Sequence, residues 1–179
     1  MIPGCATQVK KKPIAKRITI SAKSSQKAPI IQEAPVITVW VHGTRLLPKG
    51  VLPTFFFSKP GLHHYQEIAP KYYQRKIAQT LIDADPVLFP SEEFYLFGWS
   101  GKLSFSERKE AAQAFYNDLK LVRKAYKKRY GIEPRIRMLA HSHGGNVILL
   151  LEEVKDADDT NFVIDEVILL AVPVQVQTM

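Results

Sequence analysis

After residue 35 the spacing of apolar positions changes several times, and each change marks an element. Val36-Ile-Thr-Val-Trp-Val41 is β-branched and almost wholly apolar, and it ends at His42-Gly43. Such a run reads as a central strand buried on both faces of a parallel sheet. Residues 44–71 carry Pro48, Gly50, Pro53, Pro60, Gly61 and Pro70 and show no period. A connection that long and that broken predicts a functional loop. From Tyr72 to Ala84 the spacing becomes helical: Tyr73, Ile77 and Leu81 recur every four residues, and Pro86 stops the helix.

The alternation continues. Glu93-Phe-Tyr-Leu-Phe97 reads as a second strand, followed by Gly98-Trp99-Ser100-Gly101. A long helix comes next. Ser104 and Glu107 have capping-box spacing, Phe115, Leu119, Val122 and Tyr126 share one face, and Gly131 suits a C-terminal cap. Lys120, Arg123, Lys124, Lys127 and Lys128 read as its solvated side and end, where basic groups suit the helix dipole. Ile136 to Ala140 is a third strand, Gly144 to about Val154 a third helix with Val147, Leu150 and Leu151 inward, and Val163 to Val172 a fourth strand. Strand and helix in regular turn predict an α/β fold, a parallel sheet with flanking helices.

Composition adds constraints. A 179-residue chain suits one domain. One cysteine excludes an internal disulfide framework and a cysteine-based zinc cluster. No apolar run approaches the roughly 20 residues of a membrane-spanning helix. The net charge of +8 is unevenly placed. Residues 1–34 hold Lys10, Lys11, Lys12, Lys16, Arg17, Lys23 and Lys27 against Glu33 alone, so six of the eight charges lie there. This segment, rich in Lys, Ser, Gln and Pro, reads as a basic disordered tail or linker, and 35–179 as the folded domain. The domain is close to neutral, so no nucleic-acid partner is expected. Contact with a membrane surface is a role open to the tail.

Met1-Ile-Pro-Gly-Cys5 resembles the end of a bacterial lipoprotein signal, which would lipidate Cys5 if an apolar stretch preceded it. Otherwise Cys5 is an incidental thiol. Localisation thus stays open between cytoplasm and bacterial cell envelope.

The chemistry concentrates where the third strand runs into Ala140-His141-Ser142-His143-Gly144-Gly145-Asn146 and then a helix. A serine at the apex of a sharp strand-to-helix turn needs small neighbours two before and two after. Ala140 and Gly144 supply them, and Gly145 lets the helix approach the strand. The backbone N–H of His143, at the helix start, is one oxyanion donor. His42-Gly43-Thr44 follows an earlier strand, where the second donor arises, and the Thr44 N–H is assigned that role. His42 reads as a support of this loop. His141 and His143 are expected to point away from Ser142 Oγ, with His143 a candidate to line the pocket. His63-His64 lacks carboxylates at ligand spacing and reads as pocket rim or solvent-facing. Phe55-Phe56-Phe57 is a candidate contact for an acyl chain, or simple loop packing.

These segments resemble the α/β-hydrolase superfamily of the lipase/esterase type. The resemblance rests on Ala140–Asn146 and His42-Gly43, and on Phe97-Gly-Trp-Ser-Gly101 followed by Arg108 and Ala111-Ala112. It spans roughly residues 35–175. It implies a serine hydrolase acting on small-molecule or lipid carboxylic esters through acyl-Ser142, without cofactor or metal. It also implies an acid and a histidine later in the chain. No histidine follows His143. Glu152, Glu153, Asp156, Asp158, Asp159, Asp165 and Glu166 follow Ser142 but fall in the third helix, the next loop or the start of the fourth strand. Three readings compete: a hydrolase domain incomplete at its C-terminus, a degenerate hydrolase that binds without turnover, or a base borrowed from a partner or from His63 or His64. The first is the expectation, with little or no turnover by the 179 residues alone.

Overall fold

A computed structural model of the chain describes residues 33–44, 59–155 and 162–173. Residues from Glu33 onward form one compact unit. Cys5, nearly all of the basic segment, Phe55-Phe56-Phe57, and Asp156, Asp158 and Asp159 lie outside the described residues.

The unit is an α/β protein built on a five-stranded, mostly parallel sheet. Its elements are β1 (Val36–Val41), β2 (Gly61–His64), α1 (Tyr73–Ala84), β3 (Phe94–Gly98), α2 (Phe105–Tyr130), β4 (Arg135–His141), α3 (Gly144–Leu149), α4 (Leu151–Val154) and β5 (Glu166–Leu170). The strand order is β2-β3-β1-β4-β5. β1 pairs in parallel with β3 and β4, and β4 with β5. The expected all-parallel sheet is corrected at one edge, because β2 runs antiparallel to β3 with Leu62 opposite Phe97. Thus part of the segment read as a long loop is a strand. Asp118 on α2 helps hold it, accepting the Leu62 N–H at 2.9 Å.

Two apolar layers sandwich the sheet. Ile37, Val39, Val41, Phe97, Ile136, Met138 and Ala140 pack on one face with α2, α3 and α4. Trp40, Phe94, Leu96 and Leu139 pack on the other with Ala78 and Ile82 of α1. Alternate residues of one strand therefore feed different cores. This is why β1 has no solvent-facing side and reads as an almost wholly apolar run broken only by buried Thr38.

Several helix details depart from expectation. α1 buries Gln74, Ala78 and Ile82, one position beyond the stripe read from Tyr73, Ile77 and Leu81, and Tyr73 is exposed. Ser104 precedes α2 but makes no side-chain cap, since its hydroxyl meets Ser106 Oγ at 2.7 Å while Glu107 pairs with Lys102. Arg123, read as solvated, is buried and paired with Glu133 at 2.5 Å. α2 ends as expected at Gly131, whose φ of 75° is a left-handed cap. The single third helix is two short ones that meet at Leu150. The last strand is shorter than Val163 to Val172. It is an edge on which Val167, Leu169 and Leu170 are each more than 40% exposed.

Among the described residues, no helix is long and apolar enough to cross a membrane.

Candidate functional site

At the C-terminal end of the sheet, β4 delivers Ser142 into the turn before α3. Ser142 has φ of 53°, one of two non-glycine residues in the described backbone with positive φ. That conformation costs an L-residue about 1–2 kcal/mol, so the surroundings must impose it. Three contacts do so. The Ser142 N–H donates to the Leu170 carbonyl at 2.9 Å, tying the turn to the end of β5. Its carbonyl accepts from the Gly145 N–H at 3.0 Å, closing the first turn toward α3. On the remaining side lies the segment after β1.

Glycines make that close approach possible. A Cβ on Gly43 would stand 2.7 Å from Ser142 Cβ and 2.8 Å from the His141 carbonyl oxygen. A Cβ on Gly144 would strike the carbonyl oxygens of Val41 and His42, which are backbone and cannot yield as a side chain does. A Cβ on Gly145 would run into the Val172 side chain just beyond β5. The turn is thus wedged between the ends of β1 and β5, and each glycine marks one wall.

His42 is locked in place. Its imidazole Nε2 accepts from the Trp99 N–H at 3.2 Å, so Nδ1 carries the proton and donates to the Gly43 carbonyl at 2.7 Å. The Trp99 indole N–H donates to the His42 carbonyl at 2.8 Å, and the two rings stack at 5.7 Å between centroids. With only 6% of its surface exposed and both ring nitrogens engaged, His42 is fixed in the loop after β1. Thr44 follows, half-buried, with its Oγ1 buried and without a hydrogen-bond partner among the described residues.

One expectation is overturned. His143 does not point away from the serine: its Nδ1 lies 3.5 Å from Ser142 Oγ. Burial first, and the positive charge of Arg108 second, hold its pKa below the ordinary 6.5. Arg108, only 3% exposed, enters from the first turns of α2. Reading the α2 stripe back from Leu119 and Phe115 through Ala112 and Ala111 leads to Arg108, so the pattern held a signal for it.

The remaining candidates lie elsewhere. His63 and His64 sit on β2, three strands from β4, or roughly 14 Å at about 4.8 Å per strand. Their Nε2 atoms meet the carbonyls of Pro60 at 2.6 Å and Glu92 at 2.8 Å. Asp165 accepts the Ile136 N–H at 2.7 Å, and Glu166 pairs with Arg137 at 2.5 Å, both at the opposite end of β4 from Ser142. Glu152 pairs with Lys155, and Glu153 with Lys109. None of these carboxylates is placed to orient an imidazole beside Ser142.

Fold and site together define an α/β protein with a strained serine clamped by glycines where its central strands end. Compared with protein-family models, curated proteins and solved structures, the chain matches none.

Proposed function

We propose that the chain is a serine hydrolase of the α/β-hydrolase superfamily, similar to lipases and esterases, and that Ser142 is its nucleophile. The observation that carries this reading is the left-handed Ser142 at a strand–turn–helix junction, wedged by Gly43 and Gly144. A nucleophile elbow needs that strain to lift its hydroxyl clear of the sheet. A serine that merely capped a helix would need neither the strain nor the glycine walls.

In this reading Ser142 Oγ attacks the acyl carbon of a small-molecule or lipid ester. The oxyanion is met by the N–H of His143 at the start of α3 and by the N–H of Thr44. Each such donor is worth about 2.7–4 kcal/mol in the transition state. The described residues place no acid and no second histidine beside Ser142, and the open side of β5 is the side from which such groups would approach it. The apolar exposure of Val167, Leu169 and Leu170 supports a further strand there. A strand so placed would end about 4.8 Å beyond Leu170, whose carbonyl already binds the Ser142 N–H.

The second reading is a hydrolase-like binding module without turnover. It is favoured by the engagement of Asp165 and Glu166 at the far end of the sheet. Fluorophosphonate labelling separates the two. The nucleophile reading predicts labelling of the folded protein that disappears in Ser142→Ala. No labelling of the longest product of the reading frame would leave the binding module.

A further inference from the structure

We infer that the His143 imidazole is the general base that takes the Ser142 proton when an ester acylates this serine. The inference rests on the reading of Ser142 as nucleophile and adds the group that takes its proton. His143 Nδ1 stands 3.5 Å from Ser142 Oγ, the outer limit of a hydrogen bond. Catalytic hydrogen bonds in ligand-free sites are commonly long and shorten when substrate binds.

The other histidines do not compete. His42 spends both ring nitrogens on Gly43 and Trp99. His63 and His64 are three strands away. His141 is exposed and directs Nδ1 toward Gly43, 3.3 Å from where a Cβ there would lie.

The step balances within the chain and its ester. As the bond from Oγ to the acyl carbon forms, the serine proton moves to His143 Nδ1. When the tetrahedral adduct collapses, the bond to the leaving oxygen breaks and that oxygen takes the proton from the imidazole. The products are acyl-Ser142, one alcohol and a neutral His143.

Arg108 sets the limits of this base. Burial first, and the cation second, favour the unprotonated imidazole that can accept the serine proton. The cation also opposes the imidazolium that forms in the transition state. Among the described residues no carboxylate acts on His143 to offset this, so acylation is slow and turnover slower. Among the described residues, Arg108 from α2 is the charged group that acts on the imidazole. The end of β5, residues 170–172, carries no titratable side chain.

The test is the release of nitrophenolate from p-nitrophenyl acetate by the 179-residue chain. The expected result is a burst of about one equivalent, absent in Ser142→Ala, whose rate constant rises with pH and levels off by about pH 7. His143→Gln keeps the backbone N–H and is expected to slow the burst about 100-fold, the lower end of general-base effects. In His143→Ala, added imidazole is expected to restore the rate. A burst in His143→Gln within twofold of the parent, with Ser142→Ala silent, overturns the role of His143 and leaves Ser142 as nucleophile. A burst that survives in Ser142→Ala, or no burst with no fluorophosphonate labelling, overturns the nucleophile itself. Should the His143 variants fail to fold, the pH profile of the parent still decides: a rate with no ionisation below 6.5 refutes the inference.

Discussion

Replacing Ser142 by glycine and by alanine separates its chemistry from its backbone. Both substitutions remove the hydroxyl, so any loss of hydrogen bonding is common to the two. Only alanine keeps a Cβ at φ of 53°. The left-handed conformation costs alanine about 1–2 kcal/mol. Glycine avoids that cost but loses about 0.5–1 kcal/mol more to backbone entropy on folding. The midpoints of these ranges leave Ser142→Gly more stable than Ser142→Ala by about 0.75 kcal/mol. For a domain of this size, where about 2–4 °C accompanies each kcal/mol, the melting temperatures should differ by about 1.5–3 °C. Paired thermal melts at one pH measure it. An alanine variant as stable as the glycine one, or more so, would refute the argument that the fold strains this residue to present its hydroxyl.

The remaining predictions concern the walls of the turn and its titration. Gly144→Ala drives a Cβ into the backbone carbonyls of Val41 and His42. It should cost about 1–3 kcal/mol, read as a lower urea midpoint, and an unchanged midpoint would remove the close-approach argument. Trp99→Phe leaves the His42 carbonyl without its indole donor. The predicted cost is about 1–3 kcal/mol for an unsatisfied buried group, again by urea titration. His143 has a depressed pKa in the fold. Between that value and 6.5 the unfolded chain binds the proton that the folded chain declines. Its contribution is therefore complete above pH 6.5 and lost as pH falls through the folded value. Melts from pH 8 to 5 should show a steeper acid-side decline for the parent than for His143→Gln, and parallel curves would contradict the depressed pKa.

The sheet was legible where its strands are buried, since β1, β3 and residues 138–140 of β4 then announce themselves by apolar residues. β2 was not, because Gly61-Leu-His-His64 contains one aliphatic residue and follows Pro60. Its place comes from the open edge of β3 and from Asp118 on a distant helix. The α1 stripe was misread by one position because a glutamine and an alanine occupy its most buried row. Helical spacing identifies a period, while tertiary packing chooses the phase. The capping box failed for a local reason: Glu107 turned to Lys102 instead of to the backbone.

The serine turn was legible because its constraint is steric and local, carried by the small residues on either side of Ser142. The lock on His42 was not, since Trp99 comes from the segment just after β3. Nor was the reach of His143 toward the serine, which depends on how the turn is wedged between β1 and β5. The carboxylates after Ser142 were legible as misplaced. Glu166 begins β5 with Asp165 just before it, and a parallel strand carries its first residues away from the end where Ser142 sits.

The central claim is that this fold makes one serine nucleophilic. Peptide mapping after treatment with a fluorophosphonate tests it most directly, comparing the folded protein with the same protein unfolded in urea. The account predicts a single adduct per folded chain, on the peptide that carries Ser142, and none after unfolding. No adduct, adducts spread over several serines, or equal labelling of the unfolded chain would contradict it.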